Sequence, residues 1–131
     1  MISKKPIYVT KPYLGDLKEF NKIISEIWDN KILTNRGKFV KDFEEKFCLK
    51  FKCNHFTTFM SGTMALHASL KSLDISGEII TSPFTWIATI SAIKLSNCTP
   101  IFGDIDTETL NLDASTIEKY ITSKTVAIMP V

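Results

Sequence analysis

The residues best suited to chemistry gather in Met60-Ser61-Gly62-Thr63-Met64-Ala65-Leu66, with Thr85-Trp86 further along the chain. Ahead of this stretch, His55-Phe56-Thr57-Thr58-Phe59-Met60 is rich in β-forming residues and predicts a strand. Behind it, Ala65, Leu66, Ser69, Leu70 and Leu73 fall on one face of a helix. Ser61-Gly62-Thr63 is then a tight turn from strand to helix. Gly62 has no side chain to block a ligand, and the helix aims unpaired backbone N–H groups into the turn. A phosphate suits such a turn: the helix dipole contributes about 0.3–1 kcal/mol per favourable charge, and the hydrogen bonds add to it. The same residues also make an ordinary helix N-cap, and both uses stand at this point. Trp86 has two uses as well, as a stacking partner for a flat heterocycle or as a core side chain.

Other reactive residues point to structure. Cys48, Cys53 and Cys98 form an odd set without CxxC spacing, which predicts free, buried thiols in a reducing compartment. Cys48, Cys53 and His55 fit no common zinc pattern, so no metal is expected. His67, near a helix start, reads as a packing residue. Asp104 and Asp106, followed by Thr107-Glu108-Thr109, read as turn-forming acids, and Asp113 and Ser115 as N-cap choices for a last helix.

The elements that must position these residues follow from periodicity. Ile7-Tyr8-Val9-Thr10-Lys11-Pro12 is extended and stopped by proline. Asp16 with Glu19 predicts a capped helix over residues 17–28, with Leu17, Phe20, Ile24, Ile27 and Trp28 on one face. Asn35 and Gly37 give turn chemistry to the loop that follows. A second amphipathic helix carries Phe39, Val40, Phe43 and Phe47 inward, with Lys41, Asp42, Glu44, Glu45 and Lys46 as solvated surface. From His55 the pattern alternates: strand 55–60, helix 63–73, strand 78–81, helix 84–96, strand 100–104, helix 114–121 and strand 126–131. That alternation predicts an α/β domain with a largely parallel sheet, whose ligands gather at the carboxyl ends of the strands. The helix over 84–96 is apolar on two sides and is expected to be an internal, buried crossover.

A chain of 131 residues with 44% hydrophobic and 23% charged residues is ordinary for one globular domain. Net charge is +2, with Lys4-Lys5 and the other basic residues scattered, so nucleic-acid binding is not implied. No apolar run reaches the ~18 residues of a membrane span. Residues 1–6 are charged without an apolar segment behind them, so no secretory signal is expected and the protein is assigned to the cytoplasm.

These blocks together resemble a known family. Gly37-Lys38-Phe39-Val40-Lys41-Asp42-Phe43-Glu44-Glu45-Lys46-Phe47 is similar to the Gly…Phe-Glu opening of the DegT/DnrJ/EryC1/StrS family. Ser61-Gly62-Thr63-Met64-Ala65-Leu66-His67 resembles its Ser-Gly-Thr-x-Ala-Leu-His signature, and Glu78-Ile79-Ile80-Thr81-Ser82-Pro83-Phe84-Thr85-Trp86-Ile87-Ala88-Thr89 its Glu-Val-Ile-x-Pro-x-x-Thr-aromatic-x-Ala-Thr block. Residues 100–106, 109–113 and 121–131 continue the likeness in order. Departures at Ser76-Gly77-Glu78 and Asn97-Cys98-Thr99 fall in turns.

The resemblance implies a pyridoxal-phosphate-dependent sugar aminotransferase with the three-layer, mostly parallel large domain of the aspartate-aminotransferase (type I) fold. By similarity, Ser61, Gly62 and Thr63 seat the cofactor phosphate, Trp86 stacks on its ring, and Thr34 and Asn35 lie near the sugar nucleotide. Residues 1–54 would be an N-terminal helical segment and residues 55–131 the first part of the cofactor-binding domain. The family's pyridine-binding Asp and Schiff-base Lys have no counterpart here, so the chain is expected to be a fragment, inactive alone, with no catalytic residue of its own. The implied whole enzyme is a homodimer that transfers an amino group from glutamate to a nucleotide-linked keto-deoxy sugar for deoxyaminosugar or polysaccharide (O-antigen) biosynthesis. A sugar dehydratase of the same family and a non-enzymatic binding or oligomerisation fragment are the alternatives.

Overall fold

A computed structural model describes residues 8–131, in two units, one ending at Phe56 and the other Thr57–Val131. Lys4-Lys5, the start over residues 1–6 and Ile7 of the extended segment lie outside the described residues.

In the first unit, Asp16 starts α1 (Leu17–Asn30) by accepting from the N–H groups of Lys18 and Glu19 at 2.8 and 3.0 Å. Such a cap contributes about 1 kcal/mol. Glu19 meanwhile takes the Lys22 ammonium at 3.0 Å. Lys31, at φ 57°, ends the helix by donating to the Ile27 carbonyl. The predicted apolar stripe is present but uncovered among the described residues: Trp28 is 80% exposed, and of the stripe only Ile27 is half-buried.

Helix α2 (Lys38–Phe51) follows Gly37 and ends at Lys52, also left-handed at φ 53°. Phe47 stacks on Phe51 at 4.3 Å and on Phe56 at 3.7 Å, with Phe43 edge-on to Phe56 at 6.1 Å. Two expectations change here. Glu44 is not solvated surface: it is 4% exposed and pairs with Arg36. Residues 55–60 form no strand. Their β-forming side chains find no neighbouring strand, and Phe56 is spent instead on the aromatic stack against α2.

The second unit runs α3 (Gly62–Ser72), β1 (Glu78–Thr81), α4 (Ile87–Leu95), β2 (Thr99–Phe102), a 3₁₀ helix (Ala114–Tyr120) and β3 (Thr125–Met129). The strands form a parallel sheet in the order β2-β1-β3, with Ile80 opposite Ile101 and Ile128. The first strand is therefore central, and Ile79, Ile80 and Thr81 are fully buried, as the apolar run of a parallel strand requires. Leu70, Ile79, Ala92, Ile93 and Cys98 form the core, with Leu66, Ile75, Ala127 and Met129 against it. Burying each Ile or Leu completely stabilises the fold by about 1.5–3 kcal/mol.

Helix α4 is not buried on both sides as expected. Ala92 and Ile93 face the core, whereas Ile87 and Leu95 are 65% and 59% exposed, because no element among the described residues covers that face. The last predicted α-helix is a 3₁₀ helix, with Thr116 N–H donating to the Asp113 carbonyl at 3.1 Å. Seven residues including β-branched Thr116 and Ile117 favour that tighter, shorter form.

Candidate functional site

The site is built from the N-terminal ends of two helices. Ser61, extended at φ −160° and ψ 159°, caps α3: its Oγ accepts from Met64 N–H at 3.3 Å and its carbonyl from Ala65 N–H at 3.0 Å. Gly62 and Thr63 are the first two residues of the helix, and their N–H groups come too early for an acceptor within it. Gly62 is exposed, and a side chain there would meet nothing within 4 Å. Ser61 is the cap, which leaves the Gly62 and Thr63 N–H groups without an acceptor inside the helix.

Trp86 occupies the N-cap position of α4, one residue before the helix in which the sequence pattern placed it. It is 79% exposed, so it is no core tryptophan within this chain and its ring face is available. Short bonds hold the loop that carries it. Ser82 Oγ accepts from Phe84 N–H at 3.0 Å, the hydroxyls of Thr85 and Thr89 meet at 2.8 Å, and Thr89 N–H donates to the Trp86 carbonyl at 3.1 Å. The sequence reading passed over this scaffold, although the Thr85, Thr89 spacing of four is a visible signal.

Helices α3 and α4 run side by side in the same sense. His67 Nδ1 lies 3.1 Å from Ser96 Oγ, and Leu70 packs with Ile93 and Cys98, so their carboxyl-terminal halves lie together. Each of those ends leads shortly into the start of a strand, α3 into β1 and α4 into β2. Both helix N-termini therefore lie toward the carboxyl edge of the sheet, where β1 and β2 run out into residues 82–86 and 103–106. At 1.5 Å per residue, Gly62 lies about 7 Å beyond His67 and Ile87 about 13 Å beyond Ser96.

The remaining candidates sort plainly. Asp106 is a turn acid: its Oδ1 accepts from Glu108 and Thr109 N–H at 3.1 and 2.7 Å, and these bonds, Thr109 first, hold its carboxyl below the ordinary 3.8. Asp104 accepts from Ile105 N–H. His67 is the packing residue expected of it. Cys98 is buried, while Cys48 and Cys53 are only half-buried. Thr34 and Asn35 are exposed in the unit ending at Phe56, with Asn35 at φ 60° and the neighbouring Arg36 paired to Glu44.

Of the groups that pyridoxal phosphate needs, the described residues fit two, a seat for the phosphate and an aromatic face. Lys71 and Lys94 sit in the last turns of α3 and α4 and Lys124 just before β3, all toward the opposite edge of the sheet. Among the described residues no group of three or more His, Cys, Asp or Glu side chains is placed to hold a metal ion, and no helix is long and apolar enough to cross a membrane.

A parallel sheet with helix N-termini gathered at its carboxyl edge defines an α/β ligand-binding domain. The chain belongs to the DegT/DnrJ/EryC1/StrS aminotransferase family, whose pattern matches residues 16–131. Its sequence is 43% identical over 99% of its length to a dTDP-4-amino-4,6-dideoxy-D-glucose transaminase of Escherichia coli. It superposes on Helicobacter pylori PseC, an aminotransferase involved in the biosynthesis of pseudoaminic acid, with a TM-score of 0.87 and 32% identity over 96% of the chain, or 34% of PseC. A GDP-4-keto-6-deoxymannose-3-dehydratase with a trapped PLP-glutamate geminal diamine matches 91% of the chain, 32% of its own, at a TM-score of 0.81 and 27% identity. The chain spans about a third of the length of the E. coli transaminase, 35%. Its fold is that of the corresponding part of the aminotransferase large domain, a small parallel sheet with helices.

Proposed function

We propose that this chain is part of a pyridoxal-phosphate-dependent enzyme that aminates a nucleotide-linked keto-deoxy sugar, with glutamate as amino donor. The observation that carries this reading is the start of α3, where Ser61 caps the helix, the Gly62 and Thr63 N–H groups have no acceptor within it, and Gly62 is exposed. In this reading those two amides and the Thr63 hydroxyl hold the cofactor phosphate. Trp86 covers one face of the ring and shields it from water, and the Thr85–Thr89 bond keeps Trp86 at the head of α4. The cofactor, when bound, supplies the electron sink that amino-group transfer requires. The lysine that anchors it and the acid that meets its ring nitrogen belong to sequence this chain does not include, so the chain alone binds without turning over. The chain divides into an N-terminal segment, residues 1–54, and the cofactor-binding domain begun at residue 55, and the 34–37 loop, with Thr34 and Asn35, borders the sugar nucleotide.

The names of the relatives support the substrate class, and the trapped PLP-glutamate of the dehydratase supports the donor. The same reading places the enzyme in the cytoplasm, as a homodimer serving amino-sugar and O-antigen synthesis. The 43% identity to the E. coli transaminase favours amination over dehydration.

Amide NMR of the chain, titrated separately with pyridoxal phosphate, inorganic phosphate and unphosphorylated pyridoxal, tests the site. Shifts at Gly62 and Thr63 with the two phosphate compounds only are expected. Their absence at millimolar concentration removes the phosphate seat. For the full reading frame, glutamate and a dTDP- or GDP-linked keto sugar should yield an amino sugar; a deoxygenated keto product would instead make it a dehydratase.

A further inference from the structure

The C-terminal end of α2 carries two half-buried free thiols in a specific relationship. The Cys48 carbonyl accepts from Lys52 N–H, and also from Cys53 N–H at 3.1 Å, with Lys52 left-handed between them. This is the six-to-one bond of a Schellman cap, and Cys48 and Cys53 occupy the two positions whose side chains touch in that motif. A backbone closed in this way by a 3.1 Å bond from Cys53 N–H to the Cys48 carbonyl draws the two residues together, and a disulfide spans Cα separations of about 4.4–6.8 Å. An independent contact holds the reversal shut: Phe56 is stacked at 3.7 Å on Phe47, the residue before Cys48. Burial first, and then interaction with Cys53 and Glu44, holds the Cys48 thiol above its ordinary value of 9.0.

We infer that Cys48 and Cys53 form a redox-modifiable dithiol that closes to an intramolecular disulfide across the α2 cap when a low-molecular-weight disulfide such as oxidised glutathione is present. The Cys53 thiolate attacks one sulfur of oxidised glutathione, forming a mixed disulfide and expelling one glutathione thiolate, which takes up a proton. Cys48 then loses its proton to solvent and attacks the Cys53 sulfur. The Cys48–Cys53 bond forms as the second glutathione leaves. In balance, two thiols lose two electrons and two protons, and one glutathione disulfide becomes two thiols.

Mass spectrometry of the whole chain in millimolar glutathione buffers reads this directly. Trypsin cuts after Lys46, Lys50, Lys52 and Lys71, so the oxidised chain should yield peptide 47–50 joined to peptide 53–71, without reductant. Cys98, 3% exposed, should stay reduced. At a given buffer ratio, the joined form should exceed the mixed disulfide of Cys48→Ser or Cys53→Ser by at least about tenfold, the advantage of an intramolecular partner. Persistent mixed disulfide on the unaltered chain, a disulfide-linked dimer, or no oxidation beyond that of the single variants overturns the assignment. The unaltered chain suffices for the joined-peptide result even if a variant folds poorly.

Discussion

Arg36 donates from Nη2 to Oε2 of Glu44, joining a guanidinium on a side chain 63% exposed to a carboxylate on one 6% exposed. The pair ties the loop at residues 34–37, where Asn35 and Arg36 are both left-handed, to the buried face of α2. Its two halves are unequal. Losing the arginine removes a charged partner from a carboxylate that water reaches poorly. Losing only the carboxylate's charge leaves an exposed guanidinium that water readily solvates. Arg36→Ala should cost about 1–3 kcal/mol in urea unfolding, and Glu44→Gln, which keeps an acceptor, distinctly less. Equal costs would mean that the buried carboxylate does not depend on Arg36.

Two glycines differ in what a methyl group would meet. At Gly77, φ is +151° and an added Cβ falls 2.5 Å from the Lys124 carbonyl oxygen, which is backbone and cannot yield. At Gly103 the obstacle is Leu112 Cδ1 at 2.8 Å, the end of a side chain that can turn. Gly77→Ala should therefore lower the thermal midpoint more than Gly103→Ala, with a cost above about 2 kcal/mol against about 1–3 for the overpacked site. The opposite order would show that the 76–77 turn relaxes freely.

Asp106 makes the turn after β2 sensitive to acid. Its carboxyl lies below the ordinary 3.8 because Thr109, through its N–H and hydroxyl, and then Glu108 N–H bond to the charged form. The folded state therefore holds fewer protons than the unfolded chain. The contribution is fully present above about 3.8 and fades as pH falls through the lower folded value. Asp106→Asn should be less stable than the unaltered chain at neutral pH, and the difference should shrink in acid. A constant difference across that range would remove the carboxylate charge as the cause.

In the proposed site, Trp86 and Thr63 would serve different ends of the cofactor. In the enzyme of the full reading frame, Trp86→Ala should weaken binding of pyridoxal phosphate about 5- to 10-fold, the loss of one aromatic stacking contact. Trp86→Phe should recover most of it. Thr63→Ala should weaken pyridoxal phosphate but leave unphosphorylated pyridoxal unchanged. Absorbance titration checks all three, and unchanged affinity in Trp86→Ala would take the tryptophan out of the site.

What sequence made legible here was whatever depends on neighbours along the chain. The Asp16 cap, the Ser61 turn and the parallel alternation after Gly62 all follow from local pattern. What failed depended on partners distant in sequence or absent from it. Residues 55–60 have strand composition but no strand to pair with, and Phe56 instead finds Phe47. Glu44 sits among charged neighbours and reads as surface until Arg36 folds over it. Helix α4 has the composition of an internal helix, yet Ile87 and Leu95 lie open. The outward position of Trp86, which bears most on the ligand, belongs to this second class.

The strand order carries a further consequence, for the order in which this chain acquires its structure. Because β1 sits between β2 and β3, its two edges are claimed at different times during synthesis. β2 follows closely, but the Thr81 hydroxyl reaches the Met129 carbonyl across a separation of 48 residues. At ribosomal speeds of about 5–20 residues per second, that is roughly 2–10 s in which one flank of the central strand stands open to any other extended chain. A chain crowded on a polysome would be most prone to mispairing in that interval, and a chaperone that holds extended segments would be most useful then.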